Sequence, residues 1–322
     1  DLNSQSIVPV CAYDIDQHGV ARAVTEAWPD TKPHEGYRWL HFNRLDATFE
    51  TWATDHLPRA AAKALLQSET RPHCDAIQGG MILNLRGVNL NDGADAEDMV
   101  SIRLWVSEGL IVSARRDKIF ALDAVRADID AGRPPRDIAA FLAALSFGLT
   151  KRIEAVSLGL AEATDEAEDR AFDEKSAPPA NIPALRQSII KLRRFVRPQA
   201  EALIALGSGT VWPLDDLAKG HLRETINRNK RTIEELDATN DRLGAIQDHE
   251  DAKAATALGR NTYVLSIIAA VFLPLGFLTG LFGINVGGMP LIDSQAGFAM
   301  VAGGCVAIGA LVLLVFRFLR WL

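Results

Sequence analysis

Gly280-Leu281-Phe282-Gly283-Ile284-Asn285-Val286-Gly287-Gly288-Met289-Pro290 is the stretch on which the reading of this chain turns. It is uncharged and rich in glycine, and long apolar runs flank it on both sides. From Asn261 to Ile292 there is no Asp, Glu, Lys, Arg or His, and after Asp293 there is none until Arg317. Tyr263 to Phe282 and Gly297 to Phe316 each supply the ~20 residues needed to cross roughly 30 Å of hydrocarbon. Either run alone would suit a buried core helix, but two side by side weigh against that. A short link between two spans makes a helical hairpin and puts the glycine-rich stretch at one face of a bilayer. Lys253 and Arg260 precede the first span, Arg317 and Arg320 follow the second, and the link holds no Lys or Arg. Both termini are therefore expected in the cytoplasm and the stretch at the outer face. Tyr263 and Trp321 sit where interfacial aromatics are found. Ala299, Gly303, Ala307 and Ala310 give the second span a small-residue face that another helix can approach closely.

The chain has 322 residues, a formal charge of −7 and 48% hydrophobic residues. This average conceals a division, because residues 1–260 carry nearly all the charge. The acidic balance offers no basic stripe to meet phosphates and excludes nucleic acid as a partner. Cys11, Cys74 and Cys305 are odd in number and far apart. That argues against a disulfide framework and fits a reducing cytosol for the large N-terminal part. The polar N-terminal residues suggest no secretory signal. No Ser/His/Asp set, phosphate-binding loop or nucleotide turn is evident, and Gly79-Gly80 alone is too weak to invoke phosphate. No enzymatic activity and no resident cofactor are expected.

In chain order, 7–16, 37–42, 75–90, 98–106 and 110–113 read as strands, with Ser107-Glu108-Gly109 as a hairpin turn. Trp28 to Lys32 reads as a turn. Residues 48–68 have a helical period broken at Pro58. Helical pattern resumes at Asp117, Pro134-Pro135 separates two helices, and the second runs from Asp137 to about Phe172. Residues 176–183 form a linker. Another helix spans Pro183 to Leu206. After Pro213, with Asp215 and Asp216 suited to a first turn, one helix is expected to continue to Phe282. Uninterrupted, it would extend roughly 100 Å at about 1.5 Å per residue; shorter helices kinked at Gly220, Gly244 and Gly259 are the alternative. Leu222, Ile226, Ile233, Leu236 and Leu243 form its packing seam. The expected organisation is a cytoplasmic α/β domain with a helical end (1–182), long cytoplasmic helices (183–262) and a two-span transmembrane domain (263–322).

Two helices cannot enclose a pore, so this layout either anchors a soluble domain or builds a channel by self-association. Helical arithmetic favours the channel. One face of the first span collects Thr262, Ser266, Ala269, Leu273, Gly276 and Gly280, where a lipid-facing stripe would be larger and more apolar. Carried back toward the N-terminus, the face meets Asp251, Asp248, Asp241 and Asp237, and rings of these carboxylates would attract cations. Supercoiling makes the lower two least secure, and a solvated helix face is the alternative for all four. His249 lies among Asp248, Glu250 and Asp251 and has the chemistry of a metal ligand, with a solvated histidine as the competing reading. At the outer end, Gly283, Gly287 and Gly288 permit tight turns, and the Asn285 amide oxygen with freed carbonyls suits a hydrated cation.

Gly283-Ile284-Asn285 with Met289-Pro290, at the end of a very long helix that enters the first of two C-terminal spans, resembles the CorA-type family of divalent-cation transporters. Gly-Ile-Asn stands where that family's best-known signature is Gly-Met-Asn. With 272–283 and 286–290 it is similar to the ZntB zinc-transporter branch. The likeness is specific over about 255–322 and architectural before that. It implies a funnel-shaped homopentamer in a bacterial-type inner membrane, the first span lining the pore and Gly283, Ile284 and Asn285 at its outer mouth. The implied cargo is Zn²⁺, with Cd²⁺, Ni²⁺ or Co²⁺ as further candidates. Magnesium-type members commonly have Glu directly after Met-Pro. Leu291 stands there, and Asp293 is the loop's only carboxylate. A CorA-like Mg²⁺ channel and a membrane-anchored cytoplasmic sensor or scaffold remain the alternatives. His73-Cys74-Asp75 has metal-ligand residue types but reads better as a surface turn, since neighbours on a strand point to opposite faces.

Overall fold

A computed structural model describes residues 7–24, 35–77, 79–173, 175–284 and 295–318. The chain divides into two compact units, Asp1–Gln247 and Asp248–Leu322. The expected turn at 28–32 lies outside the described residues.

The first unit is built on one sheet. Its strands are β1 (Cys11–Ile15), β2 (Ala21–Ala23), β3 (Tyr37–Asn43), β4 (His73–Ile77), β5 (Gly80–Gly87), β6 (Val100–Ser107) and β7 (Leu110–Arg115). They lie in the order β2-β1-β3-β7-β6-β5-β4. Only β3 and β7 pair in parallel among these neighbours. Side chains on a strand alternate between faces. Leu40, Phe42, Trp105 and Val112 accordingly pack with Phe49, Trp52, Ala61 and Leu65 of α1 (Phe49–His56) and α2 (Arg59–Leu66). Trp39, Leu83, Leu104 and Ile111 pack with the helices that follow: α3 (Phe120–Asp130), α4 (Ile138–Phe172), α5 (Ile182–Gly207) and the start of α6 (Asp216–Phe282). Pro58 divides α1 from α2 as expected. Asp137 caps α4, its carboxylate accepting from the Ala140 amide at 2.7 Å.

The stretch 75–90 is not one strand. Gly79 adopts φ +82°, which favours glycine, and turns β4 back onto β5. A Cβ at Gly80 would lie 2.1 Å from the Val106 carbonyl oxygen. The hairpin thus explains Gly79, and the close approach of β6 explains Gly80. The Ser107-Glu108-Gly109 turn forms as read, with Gly109 at φ +67°.

One buried hydroxyl of β7 gathers two polar side chains of its parallel neighbour β3. The Trp39 indole donates to Ser113 Oγ at 2.8 Å, and His41 Nδ1 lies 2.8 Å from the same oxygen. Burial holds the His41 imidazole neutral, its pKa pushed down to about 3.

Helices α4, α5 and α6 share one core, with Ile153, Ile189, Leu192, Val196, Leu236 and Leu243 at its centre. Each carries a seam that alternates steps of three and four residues. On α4 it passes Ser146, Thr150, Ile153, Ser157, Leu160, Thr164, Ala167 and Ala171. On α5 it passes Ile182, Leu185, Ile189, Leu192, Val196, Gln199, Leu203 and Leu206. On α6 it passes Leu222, Thr225, Asn229, Thr232, Leu236, Thr239, Leu243 and Ile246. A 3.5-residue period is the geometry of a left-handed coiled coil. The hydrophobic reading of α6 selected Ile226 and Ile233, which flank the buried seam, over the Thr and Asn residues within it. Those hydroxyls are tolerated because Thr225, Thr232 and Thr239 each donate to the carbonyl four residues earlier, at 2.9, 3.1 and 2.7 Å.

Arg228 on α6 meets Glu154 on α4 at 3.1 Å, and Arg242 meets Asp165 at 2.6 Å and also Glu168. Two of these pairs share a sequence separation of 74, so α4 and α6 run parallel in a single register. Between the two arginines, Asp237 of α6 is held by Arg193 at 2.8 Å and Arg197 at 2.5 Å, both on α5.

Two measurements follow. Leu236→Ala, at the centre of the three-helix core, should cost about 2–5 kcal/mol in chemical denaturation; a loss under 1 kcal/mol would mean the seam is not packed as described. His41 takes up a proton far more readily unfolded, near its ordinary pKa of about 6.5, than folded. Its contribution is therefore complete above pH 6.5 and is lost as pH falls from about 6.5 toward 3. His41→Asn should flatten the stability slope in that window by about 1.4 kcal/mol per pH unit.

Candidate functional site

The second unit comprises α6 from Asp248 onward and α7 (Gly297–Phe318). Both helices contain a stretch long and apolar enough to cross a membrane. The end of α6 at Phe282 is the expected one, and α7 continues two residues past Phe316. The Gly283 amide donates to the Gly280 carbonyl at 3.2 Å, which closes the last turn. Ile284 is 52% exposed. Asn285, Met289, Pro290 and Asp293 lie outside the described residues, as do Arg320 and Trp321.

Within the span, exposure divides α6 into two sides. Thr262, Ser266, Ala269, Leu273, Gly276 and Gly280 are all exposed, and Leu273 reaches 75%. The half-covered residues are Ile267, Ala270, Val271, Pro274, Leu275 and Leu278. At ~100° per residue these centre about 150° from the exposed stripe, nearly the opposite side. Among the described residues, a Cβ added at Gly276 or Gly280 would meet nothing within 4 Å. Glycine costs a helix about 1 kcal/mol relative to alanine, and packing among the described residues gives no reason for it here. The polar members of the span close on their own backbone: Ser266 Oγ donates to Thr262 O at 2.8 Å and Thr279 Oγ1 to Gly276 O at 3.1 Å. On α7, Ala299, Gly303, Ala307 and Ala310 are likewise exposed.

The aspartates below the span are placed differently from one another. Asp248 and Asp251 belong to the second unit, one turn apart and both exposed. His249, beside them in sequence, is half-buried. Asp241 and Asp237 belong to the first unit. Asp241 is exposed, whereas Asp237 is engaged by Arg193 and Arg197. The arginines that hold Asp237 were not singled out from the sequence; their i,i+4 spacing on α5 was the available signal. Among the described residues no group of three or more His, Cys, Asp or Glu is gathered to hold a metal within one chain.

His73, Cys74 and Asp75 lie on β4 and not in a surface turn. Cys74 points into the core with its Sγ 3.5 Å from Met81 Sδ, while His73 Nε2 is 3.8 Å from Asp75 Oδ2 on the other side. Strand alternation therefore separates the three as ligands. Burial pushes the thiols of Cys74 and Cys11 up to about 12.

With this geometry in view, comparison with known proteins is specific. The family model described as CorA-like Mg2+ transporter protein matches residues 34–318. Zinc transport protein ZntB of Pectobacterium carotovorum subsp. carotovorum is 32% identical over 292 residues, covering 90% of this chain and 88% of that protein. Divalent cation transporter CmaX of Pseudomonas aeruginosa is 34% identical over 302 residues, covering 91% and 90%. The solved structure of full-length CmaX superposes with a TM-score of 0.83 at 32% identity, covering 97% of this chain and 98% of that one.

Cys11 and Cys74 should resist a thiol reagent at pH 8 in the native protein, leaving Cys305 as the one candidate for reaction among the three cysteines. Denaturant should then release both. Rapid labelling of either in the native state would contradict their placement.

Proposed function

This chain belongs to the CorA-like Mg2+ transporter protein family, and on that premise we propose that it carries divalent cations, Zn²⁺ foremost, across a bacterial inner membrane through a pore of five identical subunits. It is a transporter and not an enzyme, and the ion is its cargo. The observation that carries the reading is the exposed stripe with Gly276 and Gly280, where a side chain would meet none of the described residues within 4 Å of its Cβ. Five such stripes around an axis would form a narrow wall of small residues.

In this reading both termini are cytoplasmic. The Asn285 amides, with backbone groups of Gly283 and Ile284, receive the hydrated ion at the outer mouth, because neutral oxygens hold a hydrated divalent cation without stripping its water. Thr262, Ser266 and Ala269 line the path with the glycines, and Leu273 supplies a hydrophobic constriction. Rings of Asp248 and Asp251 concentrate cations at the inner end. Asp241 extends that field weakly. Asp237, neutralised by Arg193 and Arg197, contributes as a structural ion pair. His249 adds a nitrogen ligand near the inner ring.

The zinc assignment is supported by the name and 32% identity of the ZntB relative and by Ile284 in the Gly-Ile-Asn motif. A broader cargo that includes Mg²⁺, Co²⁺, Ni²⁺ or Cd²⁺ is the second reading, favoured by the 34% identity to CmaX, whose name specifies only a divalent cation.

Zinc entry into dye-loaded liposomes should exceed that of empty vesicles, and equal rates would refute transport. Excess Mg²⁺ that abolishes zinc entry would favour the broader cargo. Gly276→Leu should block flux without unfolding the protein, since a Cβ there meets no atom of the described residues within 4 Å. Asp248→Asn with Asp251→Asn should slow entry about tenfold or more, and Asn285→Ala should alter rate or selectivity. Light scattering of the detergent-solubilised protein should give the mass of five chains; a monomer or dimer without flux would return the anchored sensor.

A further inference from the structure

The core that α4, α5 and α6 share ends where a second apolar cluster, the one against the sheet, begins. Leu149 of α4, Leu203 and Leu206 of α5 and Leu222 of α6 belong to the sheet cluster. Ile153, Val196 and Leu236 of the same three helices belong to the other. Each seam has a polar residue at the change-over: Thr150 on α4, Gln199 on α5 and Asn229 on α6. They are 1%, 1% and 0% exposed. Among the described residues, Thr150 Oγ1, Gln199 Nε2 and both ends of the Asn229 amide have no hydrogen-bond partner. Gln199 Oε1 is engaged, accepting from the Arg86 amide at 2.7 Å.

The ion pairs at the margins bring these three residues together. Arg228 stands one residue before Asn229, and Glu154 stands four after Thr150. Arg242 and Glu168 stand in the same relation to Leu243 and Thr164. In a parallel coiled coil these are the g and e positions that pair across a core layer. Thr150 therefore shares a layer with Asn229, as Thr164 does with Leu243. On α5, which runs the other way, Arg193 and Arg197 hold Asp237 and set Val196 near Leu236. Seven residues back along α6 from Leu236 is Asn229, and seven forward along α5 from Val196 is Leu203. Gln199 thus lies just beside the Thr150 and Asn229 layer, between it and Leu236.

An amide left unpaired in an apolar interior carries its full desolvation penalty, which leucine at position 229 would avoid. Gln199 Nε2 only donates, Asn229 Oδ1 only accepts, and the Thr150 hydroxyl does either. A ligand that serves all three must both accept and donate. It must also be uncharged, because none of the three seams carries a charged residue to balance an ion. Water meets both conditions, and buried water typically makes about three such bonds. We propose that ordered water is bound inside the helix bundle at this level, held by Thr150, Gln199 and Asn229. Each helix supplies one of its ligands, so the water ties α6 to α4 and α5 at a single height, as a buried polar group at one core position fixes the register of a coiled coil. The site lies wholly in the first unit and is independent of the transport reading.

Synchrotron X-ray radiolysis of the full-length protein in detergent, read by mass spectrometry, provides the test, because radicals formed from an enclosed water oxidise the side chains beside it. Leu203 and Leu192 are the same residue type on the same helix and both are 0% exposed, but only Leu203 is level with Asn229. Leu203 should be oxidised severalfold faster than Leu192. Asn229→Leu, which fills the layer with apolar atoms, should bring Leu203 down to the rate of Leu192. Thr150→Val, which removes one hydroxyl and keeps the shape, should lower the Leu203 rate as well. The melting temperature reports whether Asn229→Leu is folded; if it is not, Thr150→Val decides. Equal oxidation of Leu203 and Leu192 in the unaltered protein, or an undiminished Leu203 rate in a folded variant, would overturn the proposal.

Discussion

A backbone carbonyl or amide that loses water must find another partner, and this requirement governs the chain from its buried seam to its spans. In the first unit the sheet and helices meet it by regular pairing. Along α6, hydroxyls that would compete with the backbone fold back onto it. Thr225, Thr232 and Thr239 do so in the seam, Thr256 below the span and Ser266 within it, each donating to the carbonyl four residues earlier. Threonine can therefore occupy positions that a coiled coil ordinarily fills with leucine, and serine can enter an apolar run. Pro274 is the exception within the span, where it removes one amide from the ladder of α6.

The same device explains why small polar residues serve two different surroundings. On α6, and at Thr164 of α4, they lie buried in or beside a core that takes Ile189, Leu192 and Val196 from α5. In the second unit, Thr262 and Ser266 lie exposed on the stripe with Ala269, Gly276 and Gly280. Neither setting buries much apolar area per residue. Specificity at the α4–α6 contact comes instead from charge at its margins, where Arg228 and Arg242 are each met by carboxylates from α4.

The strongest signals in the sequence were those with one physical cause. The absence of charge between Asn261 and Ile292 has hydrocarbon as its natural explanation, and Pro58 and Pro134-Pro135 break helices because proline lacks a donor. The exposed stripe was legible because it follows from helical period alone. Where two causes competed, the reading failed. Apolar content continues across residues 75–90, which hid the hairpin that Gly79 makes. β2, an edge strand of Ala21–Ala23, carries almost no apolar pattern of its own. Ile226 and Ile233 outranked Thr225 and Thr232 on hydrophobicity, since the hydrogen bonds that make threonine burial tolerable are invisible in composition. Asp237 stood in line with Asp248 and Asp251 by helical arithmetic, but its partners Arg193 and Arg197 come from another helix, and local spacing cannot report them.

The order of charges along the α4–α6 contact has a consequence for how the two helices find their alignment. With a separation of 74, Glu154 faces Arg228 and Glu168 faces Arg242, and the same offset sets Ala161 opposite Glu235. Sliding one helix past the other by seven residues preserves the three-four seam, so packing alone would permit it. The slip would bring Glu235 against Glu154 or Glu168 and part Arg228 from Glu154, leaving it only Phe147, whose ring it already overlies at 5.6 Å, or Ala161. Both directions replace attraction with like-charge repulsion. An alternation of carboxylate, methyl and carboxylate on one helix against cation, anion and cation on the other thus proofreads the alignment, rejecting the nearest wrong neighbour that the hydrophobic repeat would accept.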